Sequence, residues 1–152
     1  MAVAKARRLE PLHTTEVEVQ KAVLVIGGGV AGMTAALTLA DQGFPVYLVE
    51  RSAQLGGNLR DIRHLVDWEM DAEGGGLVWR DPQAYLEQLV ERVERHPLIT
   101  TYLQSEYLES TGFAGSFTSR LRVSSSEGGE VIEVRHGATI VATGGVEYRG
   151  PE

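Results

Sequence analysis

The apolar positions of this chain fall into two rhythms. After Lys21, Ala22-Val23-Leu24-Val25-Ile26 is an unbroken aliphatic run. That pattern predicts a strand covered on both faces, as in a parallel sheet with material packed on either side. Glycines 27, 28 and 29 follow, and then Val30, Ala31, Thr34, Leu37 and Ala40 recur on or near one face of a helix predicted over Val30 to Gln42, closed by Gly43. Phe44-Pro45 leads into a second aliphatic run, Val46-Tyr47-Leu48-Val49, which ends at Glu50. The stretch is a β-α-β unit of about 30 residues.

Beyond it, Ser52 to Asp81 reads as irregular loop, with the doublet Gly56-Gly57, alternating acids from Asp67 to Glu73 and the triplet Gly74-Gly75-Gly76. Asp81-Pro82 opens a second helix, in which Tyr85, Leu86, Leu89, Val90 and Val93 repeat at three- to four-residue spacing until His96-Pro97 breaks it. Leu98 to Leu103 is a third strand. The stretches around Tyr107, Phe117 to Val123 and Val131 to Val134 alternate and turn at glycines like an antiparallel meander. Ala138-Thr139-Ile140-Val141-Ala142 is again a buried parallel strand. The predicted class is α/β, a three-layer Rossmann-like fold with a parallel sheet and a small antiparallel meander.

Length and charge narrow the partners. A chain of 152 residues accommodates one core. A formal charge of -7 disfavours a nucleic-acid backbone or an anionic membrane surface. No window approaches the roughly 18 consecutive apolar residues of a membrane span, and Met1 to Leu12 is basic without the apolar core of a signal peptide, so a short helix stopped by Pro11 and a cytoplasmic location are expected. The division expected is an N-terminal helix and linker over 1–18 and a binding domain over 19–152. The absence of cysteine removes disulfides, zinc-thiolate sites, Cys-ligated iron-sulfur clusters and redox-active thiols from this stretch. Any electron chemistry here needs a bound organic cofactor.

The candidate chemistry lies at the first strand-helix junction. Gly27-Gly28-Gly29-Val30-Ala31-Gly32 contains G-x-G-x-x-G where a dinucleotide-binding turn requires it. Gly27 permits the tight turn, Gly29 lets bare main chain approach a pyrophosphate, and Gly32 lets helix and strand pack closely. The N–H groups of the first helical turn, at Val30 and Ala31, then face the phosphates with the helix dipole behind them. Glu50 ends the second strand 18 residues past Gly32, where a carboxylate accepts hydrogen bonds from ribose hydroxyls and repels a 2'-phosphate, making NADP the least suited ligand. The continuation Glu50-Arg51, then Gly56-Gly57-Asn58, favours FAD over NAD, because a longer dinucleotide needs a second close approach of main chain. Arg60 is either a guanidinium for the pyrophosphate or a surface charge. Ala142-Thr143-Gly144 lets the last strand pass close to the ligand.

Other residues read as structural. His13, His64, His96 and His136 share no metal-ligand spacing and read as surface or cap residues. Asp67, Glu69, Asp71 and Glu73 lack the calcium-loop pattern and read as a solvated acidic patch. Trp68 and Trp79 either cover the flavin side or pack on a neighbouring domain or protomer. No metal site and no catalytic side chain is assigned.

With these motifs placed, the chain resembles the flavin-binding region of the iron-sulfur flavoprotein (A-type) component of heterodisulfide reductase and its bacterial relatives. The likeness runs from Ala6–Leu12 through Val25–Met33, Val46–Arg51 and Gly56–Leu59, resumes at Tyr85-Leu86, Arg95–Ile99 and Gly115–Phe117, and ends with His136–Tyr148. It implies an FAD-containing electron-transfer component of a larger complex, whose other subunits are the partners and in which a homodimer also has room. It further implies contacts of Gly27, Gly29 and Gly32 with the pyrophosphate, of Glu50 with the adenosine ribose, and of Arg51 and Gly57 with the AMP and pyrophosphate region. Main-chain groups of Ser105, Glu106 and Tyr107 would meet the adenine edge. Family members are several times longer and carry Cys-ligated iron-sulfur clusters, so this cysteine-free chain reads as a fragment, expected to be inactive alone and able to lose FAD. Two rivals stay open: an NAD(H)-binding domain of a pyridine-nucleotide disulfide oxidoreductase relative, and a non-catalytic interaction module on the same scaffold.

Overall fold

A computed structural model describes residues 16, 18–69, 74–124, 129–145 and 150. The helix expected before Pro11, His13, Asp71, Glu73 and the segment Val146 to Tyr148 lie outside the described residues. Four strands, β1 (Val23–Ile26), β2 (Val46–Val49), β5 (Ile99–Tyr102) and β9 (Ala138–Val141), form a parallel sheet in the order β5-β2-β1-β9. Helices α1 (Val30–Asp41) and α2 (Pro82–Arg95) connect successive strands on one side. The strands β6 (Ser105–Phe113), β7 (Ser116–Val123) and β8 (Glu130–His136) form an antiparallel sheet.

Alternation along β1 explains its apolar run. Val23 and Val25 pack into a core with Met33, Ala36, Leu37 and Ala40 of α1 and with Leu86, Leu89 and Val93 of α2. Leu24 faces the other way, into a second core with Val49, Leu121 and Val134, against which Ile26, Tyr47 and Tyr107 pack. Each residue of β1 thus has a covered face, and the three layers are helices, parallel sheet and meander. The last strand is not the buried strand its apolar run suggests: β9 is an edge strand, with Ala138 and Thr139 exposed and Val141 71% exposed.

Three further details depart from the sequence reading. The face of α1 that is buried carries Gly32, Met33, Ala36, Leu37 and Ala40, while Ala31 and Thr34 are exposed. Gly32 belongs to that face because the helix lies pressed onto the turn there: a Cβ would collide with the Gly27 carbonyl oxygen. Second, 52–81 is not all loop. It contains a 3-10 turn (Gly57–Asp61) and an antiparallel ribbon of β3 (Leu65–Glu69) and β4 (Gly76–Arg80). The register opposes Val66 to Trp79 and Trp68 to Leu77, placing four apolar side chains on one face. Trp68 and Trp79 are 59% and 72% exposed there. Arg80 pairs with Asp67 and Glu69, at 3.1 and 3.2 Å, along the solvated opposite face.

Third, His136 is not a surface residue but fully buried. Its Nε2 lies 2.7 Å from the Ser119 hydroxyl and its Nδ1 2.9 Å from the Ala138 carbonyl oxygen, while its ring stacks on Phe117. The carbonyl can only accept, so Nδ1 carries the proton and neutral Nε2 accepts from Ser119. Burial pushes the imidazole pKa down, against the opposing pull of the Ala138 carbonyl. His96, by contrast, caps α2, its Nδ1 accepting the Leu98 N–H at 3.2 Å.

Candidate functional site

The site is built where β1 ends. Gly27 takes φ +113, and a Cβ there would run into the Ala142 carbonyl oxygen, so the end of β9 lies against the back of the turn. The Ala142 N–H holds it there through the Ile26 carbonyl at 2.8 Å. Gly27 and Gly32 are therefore glycine for reasons internal to the fold. Gly29 is different. Its φ of -74 suits any residue, and a Cβ built on it would meet nothing within 4 Å. The fold leaves the space above Gly29 open and gives no reason of its own for the missing side chain.

Gly29 is also the N-cap of α1, and no side chain caps the helix. The first-turn N–H groups, including those of Val30 and Ala31, are thus free of any side-chain acceptor beside that space. Positive potential at a helix start, with donors pointing outward, suits an anion such as a diphosphate.

Glu50 faces this turn. Its Oε2 accepts the Gly28 N–H at 2.6 Å and its Oε1 the Ser52 N–H at 2.8 Å, with the residue 9% exposed. Burial raises the pKa of this carboxyl, but the two N–H groups, the Ser52 hydroxyl and the Arg51 charge together outweigh it, and the net shift is downward. Glu50 is a fixed carboxylate with acceptor capacity left after two bonds. Arg51 itself is exposed beside it.

The second glycine pair closes the other wall. The Gly56 N–H donates to the Gly28 carbonyl at 2.8 Å, and Gly29 and Gly56 form a parallel bridge. Gly57, at φ +52, sits so close that a Cβ would lie 3.1 Å from the Gly29 Cα. Exposed Asn58 follows at the start of the 3-10 turn. Thr143 and Gly144 are exposed beyond Ala142.

The remaining predicted residues are placed less directly. The Arg60 Nε donates to the Leu55 carbonyl at 2.5 Å, and the side chain lines a groove with Gln83, Glu87 and Glu91 of α2, so it serves as a brace within its own loop. Tyr107 packs on the second core. Ser105 begins β6 directly behind Glu50, but its N–H is taken by the Glu50 carbonyl at 2.9 Å and its hydroxyl by Leu103 at 2.7 Å, leaving neither for a ligand. Sequence reading missed Gly28, whose N–H docks the carboxylate and whose Cβ would clash with Leu55 and Glu50. It also missed Leu55, whose buried side chain fills that position. The signal for Gly28 is in the motif itself, whose first variable position is a further glycine.

The profile of the NAD(P)-binding Rossmann-like domain family matches residues 25–93. One of the iron-sulfur A-type components of CoB–CoM heterodisulfide reductase from Methanopyrus kandleri is 40% identical over 121 residues, covering 80% of this chain. The corresponding A-type component of the ferredoxin:CoB-CoM heterodisulfide reductase of Methanosarcina acetivorans is 39% identical over 122 residues, covering 78%. Over this segment, the chain belongs to the family of heterodisulfide reductase A-type components. It spans only 17% and 14% of those two relatives' own lengths. Among solved structures, L-proline dehydrogenase from P. horikoshii superposes with a TM-score of 0.60 at 26% identity, over 88% of this chain and 25% of that one. The Rossmann-like fold is thus shared with this dehydrogenase. No helix among the described residues is long and apolar enough to cross a membrane.

Proposed function

We propose that this chain is the FAD-binding part of an electron-transfer oxidoreductase of the heterodisulfide reductase type. The observation that carries the reading is Gly29: an ordinary backbone angle, open space where a side chain would sit, and a glycine nonetheless. In this reading the diphosphate of the cofactor occupies that space. The N–H groups of Gly29, Val30, Ala31 and Gly32 bind it, Gly57 and Asn58 flank it, and Glu50 accepts from the ribose hydroxyls. The carboxylate arrives already oriented, because Gly28 and Ser52 hold it before the ligand does. Ala142, Thr143 and Gly144 let the main chain of the last strand pass close by, and Arg51 adds positive charge at the rim. The main chain around Tyr107, on β6 just beyond Ser105, meets the adenine edge in this reading.

The flavin, when bound, supplies the redox chemistry, and the protein supplies binding and orientation. No side chain of this chain acts as a catalyst in this reading, so the segment alone is inactive and works with further parts of its own protein and with the other subunits of its complex.

The match to an NAD(P)-binding family profile favours one alternative, NAD(H) in the same turn. Parallel calorimetric titrations of FAD, ADP, NADH and NADPH separate the two. FAD binding most tightly, with NADPH weakest, is the expected order; NADH tighter than FAD reverses the assignment. A folded protein by circular dichroism that binds neither FAD nor ADP at millimolar concentration would make the chain an interaction module.

A further inference from the structure

The second glycine loop owes its position to contacts from α2. Gly56 is pressed from that side: a Cβ there would sit 3.0 Å from the Leu86 Cδ1 and from the Arg60 Nε. At the end of the 3-10 turn that follows, the Leu59 carbonyl accepts the Ile62 N–H at 3.3 Å, and the chain then leaves the turn with its carbonyls turned toward α2. One side chain collects them. The Gln83 Nε2 donates to the Leu59 carbonyl at 3.0 Å and to the Ile62 carbonyl at 2.8 Å, with the Arg60 carbonyl 3.5 Å away. Both hydrogens of the amide are thereby used.

Gln83 is not needed for this by its own helix. Asp81 is the N-cap and takes the Gln83 main-chain N–H at 2.8 Å, Pro82 occupies the first turn, and the side chain of Gln83 is left over. It reaches across more than 20 positions in sequence to the loop whose other end is bonded to Gly28 and lies on Gly29.

We propose that Gln83 is a positioning residue, whose amide clamps the Gly57–Asp61 turn so that Gly56-Gly57 is held at the Gly29 opening where the diphosphate of the dinucleotide binds. The inference rests on the FAD reading above. Gln83 touches no ligand; it acts by fixing the wall that does.

The test uses Gln83→Glu and Gln83→Ala in the full chain. Gln83→Glu keeps size and reach but replaces two donors with a carboxylate facing carbonyl oxygens, and Gln83→Ala removes the donors without adding charge. At pH 7.5 the FAD and ADP dissociation constants rise about tenfold or more in Gln83→Glu and several-fold in Gln83→Ala. Amide hydrogen exchange across 56–61 accelerates in both, while β1 stays protected. Because carbonyl neighbours disfavour a charged carboxyl, Glu at this position takes up a proton as pH falls from 7.5 toward 5 and regains one donor. Its affinity deficit relative to wild type therefore narrows with acidification, whereas the Gln83→Ala deficit does not, a split that general loosening of the fold would not produce. Wild-type affinity in both variants, or a Gln83→Glu deficit independent of pH, overturns the proposal while leaving the FAD reading intact. A wild-type protein that binds neither FAD nor ADP overturns both. Should Gln83→Glu fail to fold, Gln83→Ala with unchanged affinity and unchanged exchange at 56–61 is by itself enough to overturn it.

Discussion

Replacing each glycine of the turn by alanine should separate glycines the fold requires from the one a ligand requires. At Gly29 the added methyl group meets nothing within 4 Å and the backbone angle is ordinary. The folded state therefore loses no contact; the reduced freedom of the unfolded chain stabilises by about 0.4–1 kcal/mol, and the poorer fit of alanine than glycine to the N-cap offsets a similar amount. For a chain of this size the Tm stays within about 2 °C of the wild type. At Gly32 the same methyl group collides with the Gly27 carbonyl oxygen, a main-chain atom fixed by the turn, and the cost is about 3 kcal/mol or more. Thermal melts by circular dichroism give the first half of the comparison and calorimetric titration with FAD and ADP gives the second. Gly29→Val should melt as a folded protein yet lose the approach of main chain to phosphate. Even one charge-assisted hydrogen bond is worth about 1.5–3 kcal/mol, so the affinity falls by about 10- to 100-fold or more. A Gly29→Val protein that binds FAD as the wild type does, or a Gly29→Ala protein that melts several degrees lower, refutes the reasoning.

Glu50→Gln tests the buried carboxylate: a group whose folded pKa is depressed contributes stability that is complete above the ordinary carboxylate range and lost as pH falls through its folded value. Urea midpoints measured from pH 6 down to 3 should therefore fall less steeply in the variant than in the wild type. Glu50→Arg should weaken FAD and reduce the discrimination against NADPH, read in parallel titrations; unchanged FAD affinity removes Glu50 from the site. His136 has a depressed pKa as well, so its contribution is complete above about pH 6.5 and is lost as pH falls below that. Melts between pH 7.5 and 5 should show a smaller acid-induced drop for His136→Gln than for the wild type.

Much of this architecture could be read directly from the residues. The aliphatic run of β1 announces a strand covered on both faces, and the glycines behind it sit where the turn is found. That Glu50 stands beside the turn was legible from spacing; that it accepts the Gly28 and Ser52 N–H groups was not. What escaped depends on contacts that spacing does not encode. The phase of α1 is weakly marked in the sequence, because alanines and threonines lie all round the helix; the face that is buried is the one that includes Gly32, where only glycine fits against the turn. The ribbon of β3 and β4 was hidden because its alternation buries neither face, and because glycines and acids interrupt it. His136 looked like any lone histidine; only the packing of the meander over the parallel sheet makes it a core residue. The hydrogen bonds of Gln83 join the first turn of α2 to a turn more than 20 residues earlier in the chain.

The strand that backs Gly27 is the last of its sheet in chain order. During synthesis β1, α1, β2 and β5 are all made before Ala138, and until β9 is added one margin of β1 is bare and the turn is without its rear support. An uncovered margin of aliphatic strand is a template for wrong partners. Formation of β9 therefore does two jobs in one step, sealing an adhesive border and stiffening the turn.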